Sequence, residues 1–251
     1  MQTGVKTPEQ LQAMRQGGKI MAQIYKELRA YVKPGLNELD INAWVDRKIR
    51  EYGATPTYKE PDVDFPGVIC ICVNDELVHS PPTDYDLETG DIVSFDLTIT
   101  YKGMKTDSAF TMMVGEKPKG AAKHLLDVTE KSLYAGISVV KDGVTTGDIG
   151  AAVEKVLKAG KLGIIRNYCG HGIGKKMHMP PNITNYGTPG RGEILKSGDT
   201  ICIEPMASLG KEANYITDDG WTVAMKDGSL CAHCEHTVLV TNNGYEILTQ
   251  L

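Results

Sequence analysis

The chain has 251 residues and carries 27 Lys and Arg against 32 Asp and Glu, a formal net charge of −5. The basic residues are scattered, so no nucleic-acid footprint is visible, and no apolar run approaches the ~18 residues of a membrane span. Residues 1–19 are polar and lack the apolar core of a signal peptide, so the composition fits a soluble, cytoplasmic chain long enough to bury a large core.

Thr7-Pro8-Glu9-Gln10 opens the first helix with an N-cap, a proline in the first turn and a capping-box glutamine. Leu11, Met14, Met21, Ile24, Tyr25, Leu28 and Val32 recur at helical spacing up to the stop at Pro34-Gly35, and Gly17-Gly18 marks a close approach. Asn37 caps a second helix with Ile41, Trp44, Val45 and Ile49 on its apolar face, ending at Gly53. Residues 55–67 are Pro-rich and dotted with Tyr58 and Phe65, a loop suited to lining a pocket. A short strand is expected over 68–73, followed by His79 beside Pro81-Pro82.

Residues 94–114 form the most informative stretch. Ser94, Asp96, Thr98 and Thr100 alternate with Phe95, Leu97, Ile99 and Tyr101, which is the period of a strand. Lys102-Gly103 turns the chain, and 106–114 returns as a second strand. Paired strands lie about 5 Å apart, so Asp96 and Asp107 can converge. Helices are then expected over about 121–140 and 147–159. Asn167 to Gly174 is a glycine-rich run holding His171, and His178 follows seven residues later. Strands are expected over 200–207, about 221–225 and 231–241.

The six cysteines are Cys70, Cys72, Cys169, Cys202, Cys231 and Cys234. Cys231-x-x-Cys234 has only Cys70-x-Cys72 as a second pair for a structural zinc site, so all six are read as reduced thiols.

An internal repeat underlies this order. At a shift of 108 residues Gly35 matches Gly143, Asp40 Asp148, Ile41 Ile149, Ala43 Ala151 and Val45 Val153. Without a gap, Leu87 then matches Leu195, Gly90 Gly198, Asp91 Asp199 and Asp96 Glu204. The expected architecture is α/β. Two pseudo-symmetric halves, approximately 7–115 and 116–251, share one sheet covered by helices within a single domain over 1–251. Position 215, the counterpart of Asp107, is Tyr215, and the next acid on an expected strand is Glu235. An insertion over 209–228, containing Trp221, accounts for the gap, and Glu235 is expected to be the partner of Asp107.

Asp96, Asp107, Glu204 and Glu235 thus fall on four expected strands. Four carboxylates in one pocket repel each other unless cations compensate them, and two divalent ions about 3.5–4 Å apart do so. His171 is the natural fifth ligand, because imidazole selects Zn, Fe, Co or Mn over Ca or Mg.

Asp96, Asp107, Gly-His171-Gly-Ile-Gly, Ile-Glu204-Pro-Met and Glu235-His-Thr together resemble the methionine aminopeptidases of the pita-bread metallopeptidase fold, over essentially the whole chain. The interval from His178 to Glu204 leaves no room for the helical insertion of type II enzymes, so the chain is similar to the short bacterial type I form. The resemblance implies a curved, mainly antiparallel sheet and two divalent cations, which are Co, Fe, Mn or Zn. Asp96 would chelate one ion, Asp107 and Glu235 would bridge both, and His171 and Glu204 would hold the second. Water activated by the ions would attack the first peptide bond, and Glu204 would shuttle its proton. His178 would bind the substrate carbonyl, and His79 the scissile amide. Phe65, Cys70, Met177 and Trp221 would wall the pocket for the Met side chain. The implied substrates are N-termini of nascent polypeptides with a small second residue, which sets contact with the ribosome as an expectation. The implied state is a monomer.

The chain departs from the common bacterial pattern at Lys59 and Asp62 in the pocket loop and at Ser80-Pro81 after His79, so the pocket rim is expected to differ. Two rival readings are an aminopeptidase or dipeptidase of the same fold cutting before proline, and a non-enzymatic binding homologue. The first usually carries a large extra N-terminal domain, and the second loses metal ligands, of which this chain keeps five.

Overall fold

A computed structural model describes residues 6–61 and 63–251; Asp62 lies outside the described residues. The helices are α1 (Pro8–Tyr31), α2 (Glu38–Glu51), α3 (Gly120–Ser138) and α4 (Thr146–Ala159). The first-half strands are β1 (Thr55–Pro56), β2 (Cys70–Val73), β3 (Glu76–Val78), β4 (Ile92–Tyr101) and β5 (Met104–Met113). The second half adds β6 (Gly163–Ile164), β7 (Gly170–Gly172), β8 (Met179–Ile183), β9 (Thr200–Ile203) and β10 (Met206–Ser208). The last five are β11 (Asn214–Ile216), β12 (Val223–Met225), β13 (Cys231–His233), β14 (Glu235–Thr241) and β15 (Gly244–Ile247).

The Thr7 hydroxyl accepts from the Gln10 N–H, and the Gln10 side chain accepts from the Thr7 N–H, closing the expected capping box. Such a cap stabilises a helix by about 1 kcal/mol. Helix α1 ends at Tyr31, before the Pro34-Gly35 stop. The β4–β5 hairpin forms over the expected stretch. Its turn residues Lys102 and Gly103 have φ of 49° and 75°, the left-handed pair of a tight hairpin.

The main sheet is antiparallel and nine-stranded, in the order β1-β4-β5-β14-β9-β7-β8, with β15 added to β14 and β2 to β4. Its helix-facing side carries two apolar cores. Ile24 and Leu28 of α1, Ile41 and Ile49 of α2, and Phe95, Leu97 and Ile99 of β4 form one. Leu133 and Ile137 of α3, Ile149 and Val153 of α4, and Ile201 and Ile203 of β9 form the other. Burial of these side chains is the main source of stability, at roughly 1.5–3 kcal/mol each. The opposite, concave side carries Ser94, Asp96 and Thr98, and these are buried too. This is the pita-bread arrangement, with the alternation of residues 94–101 separating core from site.

The 108-residue repeat is physical. Helix α2 at 38–51 and α4 at 146–159 coincide under that shift, as do the bridges Asn37–Asp86 and Thr145–Ile194. The Gly35 N–H donates to the Leu87 carbonyl at 2.7 Å and the Gly143 N–H to the Leu195 carbonyl at 2.9 Å. The Gly-Asp turns repeat for a reason: the carboxylates of Asp91 and Asp199 accept from the N–H groups of Glu88 and Lys196, each at 2.8 Å.

Three expectations need correction. Residues 200–207 and 231–241 are not continuous strands: β9 stops at Ile203 and β10 resumes at Met206, while β13 and β14 are separated at Cys234. Glu204 therefore sits in a break before Pro205, whose ring removes a ladder donor, and not on a strand. Trp221 precedes β12 and does not lie within it. The symmetric partner of Asp107 is not Glu235. Asp96 pairs with Ala109 in the first hairpin, the β9–β14 register places Glu204 level with Glu235, and Ala109 pairs with Glu235 where the halves meet. Ala109, two residues beyond Asp107 and on the same face, is the counterpart of Glu235. The insertion over 209–228 supplies β11 and β12, which join β3 in a separate three-stranded sheet.

The Gly17-Gly18 pair packs as the sequence suggested. A Cβ on Gly18 would lie 2.0 Å from the Leu248 carbonyl oxygen. Gly18→Ala is expected to destabilise the fold by about 1–3 kcal/mol or more, because the obstacle is backbone. A melting temperature within 1 °C of the parent would contradict this packing.

Candidate metal centre and substrate pocket

Strand register explains how distant acids meet. Asp96 faces Ala109, and Thr98 faces Asp107, so the two aspartates lie on one face, diagonally across β4 and β5. Strand β14 docks on β5 with Glu235 opposite Ala109, and β9 docks on the other side of β14. Glu204, just past the end of β9, has its backbone carbonyl held by the Asn185 Nδ2 at 3.0 Å. His171 sits on β7, next to β9.

All eleven residues singled out in the sequence line one cavity of about 170 Å³: Phe65, Cys70, His79, Asp96, Asp107, His171, Met177, His178, Glu204, Trp221 and Glu235. The His171 Nε2 lies 3.9 Å from the Asp107 Oδ2 and 3.6 Å from the Glu204 Oε1. The His171 Nδ1 is 2.9 Å from the Gly172 carbonyl oxygen. A carbonyl only accepts, so Nδ1 carries the proton and Nε2 presents a bare lone pair toward the acids, the tautomer a metal ligand needs.

The electrostatics are unbalanced without cations. Burial pushes the Asp96 carboxyl up to about 7. Asp107 is raised well above its ordinary value by burial and then by Asp96. Glu204 is raised by burial and then by Asp107 and Asp96, and Glu235 by burial and then by Asp107, Glu204 and Asp96. Burial lowers His171 to about 4, with His178 adding to the effect. Among the described residues Asp96 Oδ1, Asp107 Oδ1 and Glu235 Oε1 are buried with no hydrogen-bond partner. Orphaned buried carboxylate oxygens are rare and costly, and divalent cations satisfy them. The donor set of four acids and one bare imidazole nitrogen fits such ions.

Asp107, His171 and Glu235 offer ligand atoms within 4.8 Å of one another, and the Cys202 thiol joins that group. Cys202 was read only as a reduced thiol. Its place two residues before Glu204, at the alternating spacing of the strand expected over 200–207, was the available signal. Burial holds this thiol protonated, and its Sγ lies 3.7 Å from the Thr237 Oγ1, so it is a poorer donor than the carboxylates. The second residue the sequence did not reveal is His233, hidden inside the Cys231–Cys234 motif. Its Nε2 is 3.7 Å from the Glu204 Oε2. Cys231 and Cys234 themselves are free and buried, and the Cys231 Sγ donates to the carbonyls of Asn74 and Glu76.

The apolar end of the cavity joins Tyr58, Phe65 and Cys70 with Val63, Met177 and Trp221. Phe65 meets Trp221 edge-on at 5.5 Å. Trp221 is aimed by a tight acidic turn, in which Asp219 accepts from the N–H groups of Trp221 and Thr222 at 2.8 and 2.9 Å. The Lys59 Nζ donates to the Pro66 carbonyl at 3.0 Å, so this departure ties the pocket loop to itself. His79, with φ of 64°, occupies the left-handed region that non-glycine residues rarely adopt, a strain typical of functional positions. Burial, aided by His178, lowers His79 to about 4; burial lowers His178 too, and His178 stands edge-on to His171 at 4.5 Å. Both imidazoles are therefore neutral hydrogen-bonding groups near pH 7.

Residues 12–242 match the model of metallopeptidase family M24. The chain is 39% identical to methionine aminopeptidase 1 of Bacillus subtilis (strain 168) over 246 residues, covering 98% of each chain. It is 38% identical to the methionine aminopeptidase of Escherichia coli (strain K12) over 254 residues, covering 99% of this chain and 94% of that one. The structure of methionine aminopeptidase from Thermotoga maritima superposes with a TM-score of 0.95 at 37% identity, covering 99% of each chain. A prolidase from Pyrococcus furiosus shares the fold at a TM-score of 0.78 and 22% identity, and this chain spans 65% of its length. Family model, full-length relatives and fold agree with the acid-and-histidine cavity, and the chain belongs to the methionine aminopeptidases of metallopeptidase family M24.

Proposed function

We propose that this chain removes the N-terminal methionine from nascent polypeptides whose second residue is small, acting as one catalytic domain over both halves. The observation that carries the reading is the cavity itself, where orphaned carboxylate oxygens at one end meet a small apolar pocket at the other. Asp96, Asp107, His171, Glu204 and Glu235 would hold two divalent cations, each Co, Fe, Mn or Zn. Such ions supply Lewis-acid activation of water and of the scissile carbonyl.

The other steps belong to this chain's side chains. Phe65, Cys70, Met177 and Trp221 receive the Met side chain, with soft and aromatic surfaces against a thioether. The neutral His178 donates to the scissile carbonyl and to the oxyanion that develops there. His79 contacts the scissile amide and assists the leaving amine. Glu204, whose affinity for a proton is raised by burial, takes the proton of the attacking water and passes it to that amine. Discrimination against a bulky second residue would be steric.

The six cysteines are free and all but Cys169 are buried, which suits a reducing cytoplasm, and the chain is taken to act as a monomer. Among the described residues no helix is long and apolar enough to cross a membrane. The test is a peptide panel with metal-stripped protein and one ion added back at a time. Met-Ala and Met-Gly peptides are expected to be cut only after metal addition. Cleavage of Xaa-Pro substrates without cleavage of Met-Ala would overturn the reading.

A further inference from the structure

His233 is a buried histidine with no assigned partner. Its side chain is 2% exposed, and among the described residues neither ring nitrogen has a hydrogen-bond partner. Its backbone is clamped: the Thr111 Oγ1 donates to the His233 carbonyl at 2.7 Å and accepts from the His233 N–H at 3.0 Å. Strand pairing of His233 with Met206 sets the ring beside Glu204, two residues earlier. A buried imidazole without partners is uncommon and carries an uncompensated desolvation cost, which points to a role elsewhere in the working state.

The Glu204 carboxylate lies between two imidazoles, one oxygen toward each. Oε1 is 3.6 Å from the His171 Nε2, and Oε2 is 3.7 Å from the His233 Nε2. The His171 nitrogen cannot donate, because its proton is on Nδ1 facing the Gly172 carbonyl. The His233 ring has no such constraint. A small rotation of the carboxylate closes the gap, and hydrogen bonds in active sites commonly tighten in this way when the site is filled.

We propose that His233 is a positioning residue: with a proton on Nε2, it donates to the Glu204 Oε2 and so fixes which carboxylate oxygen faces the cation site beside His171. The proposal rests on the metal-centre reading above. Outer-sphere donors of this kind orient ligands, and their loss typically weakens metal affinity about 10–100-fold.

The test uses full-length, metal-stripped protein with Co²⁺ alone as the probe, in the parent, His233→Gln and His233→Leu. Binding is followed by visible absorption and calorimetry, and folding by thermal unfolding. His233→Leu is expected to bind Co²⁺ about 10–100-fold more weakly with a changed absorption band, and to lower kcat more than it raises KM. His233→Gln, which restores an N–H donor, is expected to recover most of the affinity and the parental band. Parental Co²⁺ affinity in His233→Leu would overturn the proposal. So would equal loss in His233→Gln and His233→Leu with unfolding temperatures unchanged, because packing rather than donation would then be the cause. If the parent itself bound no Co²⁺, the metal-centre reading would fall and the proposal with it.

Discussion

Asp107→Asn is expected to reduce hydrolysis of a Met-Ala peptide by roughly 10³-fold or more and to abolish uptake of the second cation, while leaving the fold intact. Asp107 is the electrostatic hub of the centre, contributing to the raised proton affinity of Glu204 and of Glu235. Its Oδ2 faces the bare His171 nitrogen at 3.9 Å, and its Oδ1 has no partner. Asparagine keeps the volume but removes the charge and one anionic oxygen, so it cannot bridge two ions. Lewis-acid assistance is worth several kcal/mol in the transition state, and each 1.36 kcal/mol is tenfold in rate, which sets the scale of the loss. The metal-free protein should respond in the opposite sense. Removing one of four mutually repelling buried carboxyls relieves strain, so metal-free Asp107→Asn should melt at or above the parental temperature near pH 8. Bound metal after dialysis, kcat/KM and melting curves check all three parts. Full activity in this variant would remove Asp107 from the bridging position. Lost activity with parental metal content would assign it a role in the chemistry alone.

Much of this site was legible because strands alternate. The period-2 run from Ser94 to Tyr101 placed Asp96 on the face opposite Phe95, Leu97 and Ile99, and the structure keeps that division. The repeat was legible because its marks are turn residues with local reasons to exist. Gly90 and Gly198 have φ of 100° and 96°, and the following aspartates cap their own turns. Register across the insertion was less legible. The counterpart of Glu235 is Ala109, and no acid marks that position, so matching Asp107 to the next acid on an expected strand pairs Glu235 with a residue two positions out of register. The break at Glu204-Pro205 was hidden inside an apolar run that reads as one strand. His233 was hidden because its neighbours Cys231 and Cys234 invite a thiol reading, and only the pairing of β13 with β10 brings its ring to Glu204. Pairings between segments far apart in the chain are set by tertiary packing, which local periodicity does not encode.

Stabilisation by divalent metal is expected to grow steeply between pH 6 and pH 8. Without metal, the Asp96 carboxyl titrates near 7 against an ordinary value of 3.8, and Asp107, Glu204 and Glu235 are raised as well. Raised carboxyls favour the folded state while they hold protons that the unfolded chain has already lost. That contribution is full below about pH 4 and disappears as pH climbs through the folded values. His79 and His171 act in the opposite direction, titrating near 4 against an ordinary 6.5. Their contribution is present above pH 6.5 and is lost as pH falls toward 4, so it no longer changes above pH 7. Of these site groups only the carboxyls are still titrating in that upper range, and their contribution to the stability of metal-free protein should fall as pH rises. Metal binding requires the same carboxyls ionised and releases their protons, so affinity climbs over the range in which that contribution falls. At a metal concentration of about 100 times Kd the gain is about 2.7 kcal/mol, roughly 5–10 °C in melting temperature for a chain of this size. Paired melting curves with chelator and with Mn²⁺ at pH 6, 7 and 8 measure it. A metal-induced shift equal at pH 6 and pH 8 would mean that the buried acids are already ionised at pH 6, and Asp107→Asn, with one titrating acid fewer, should show a shallower pH dependence than the parent.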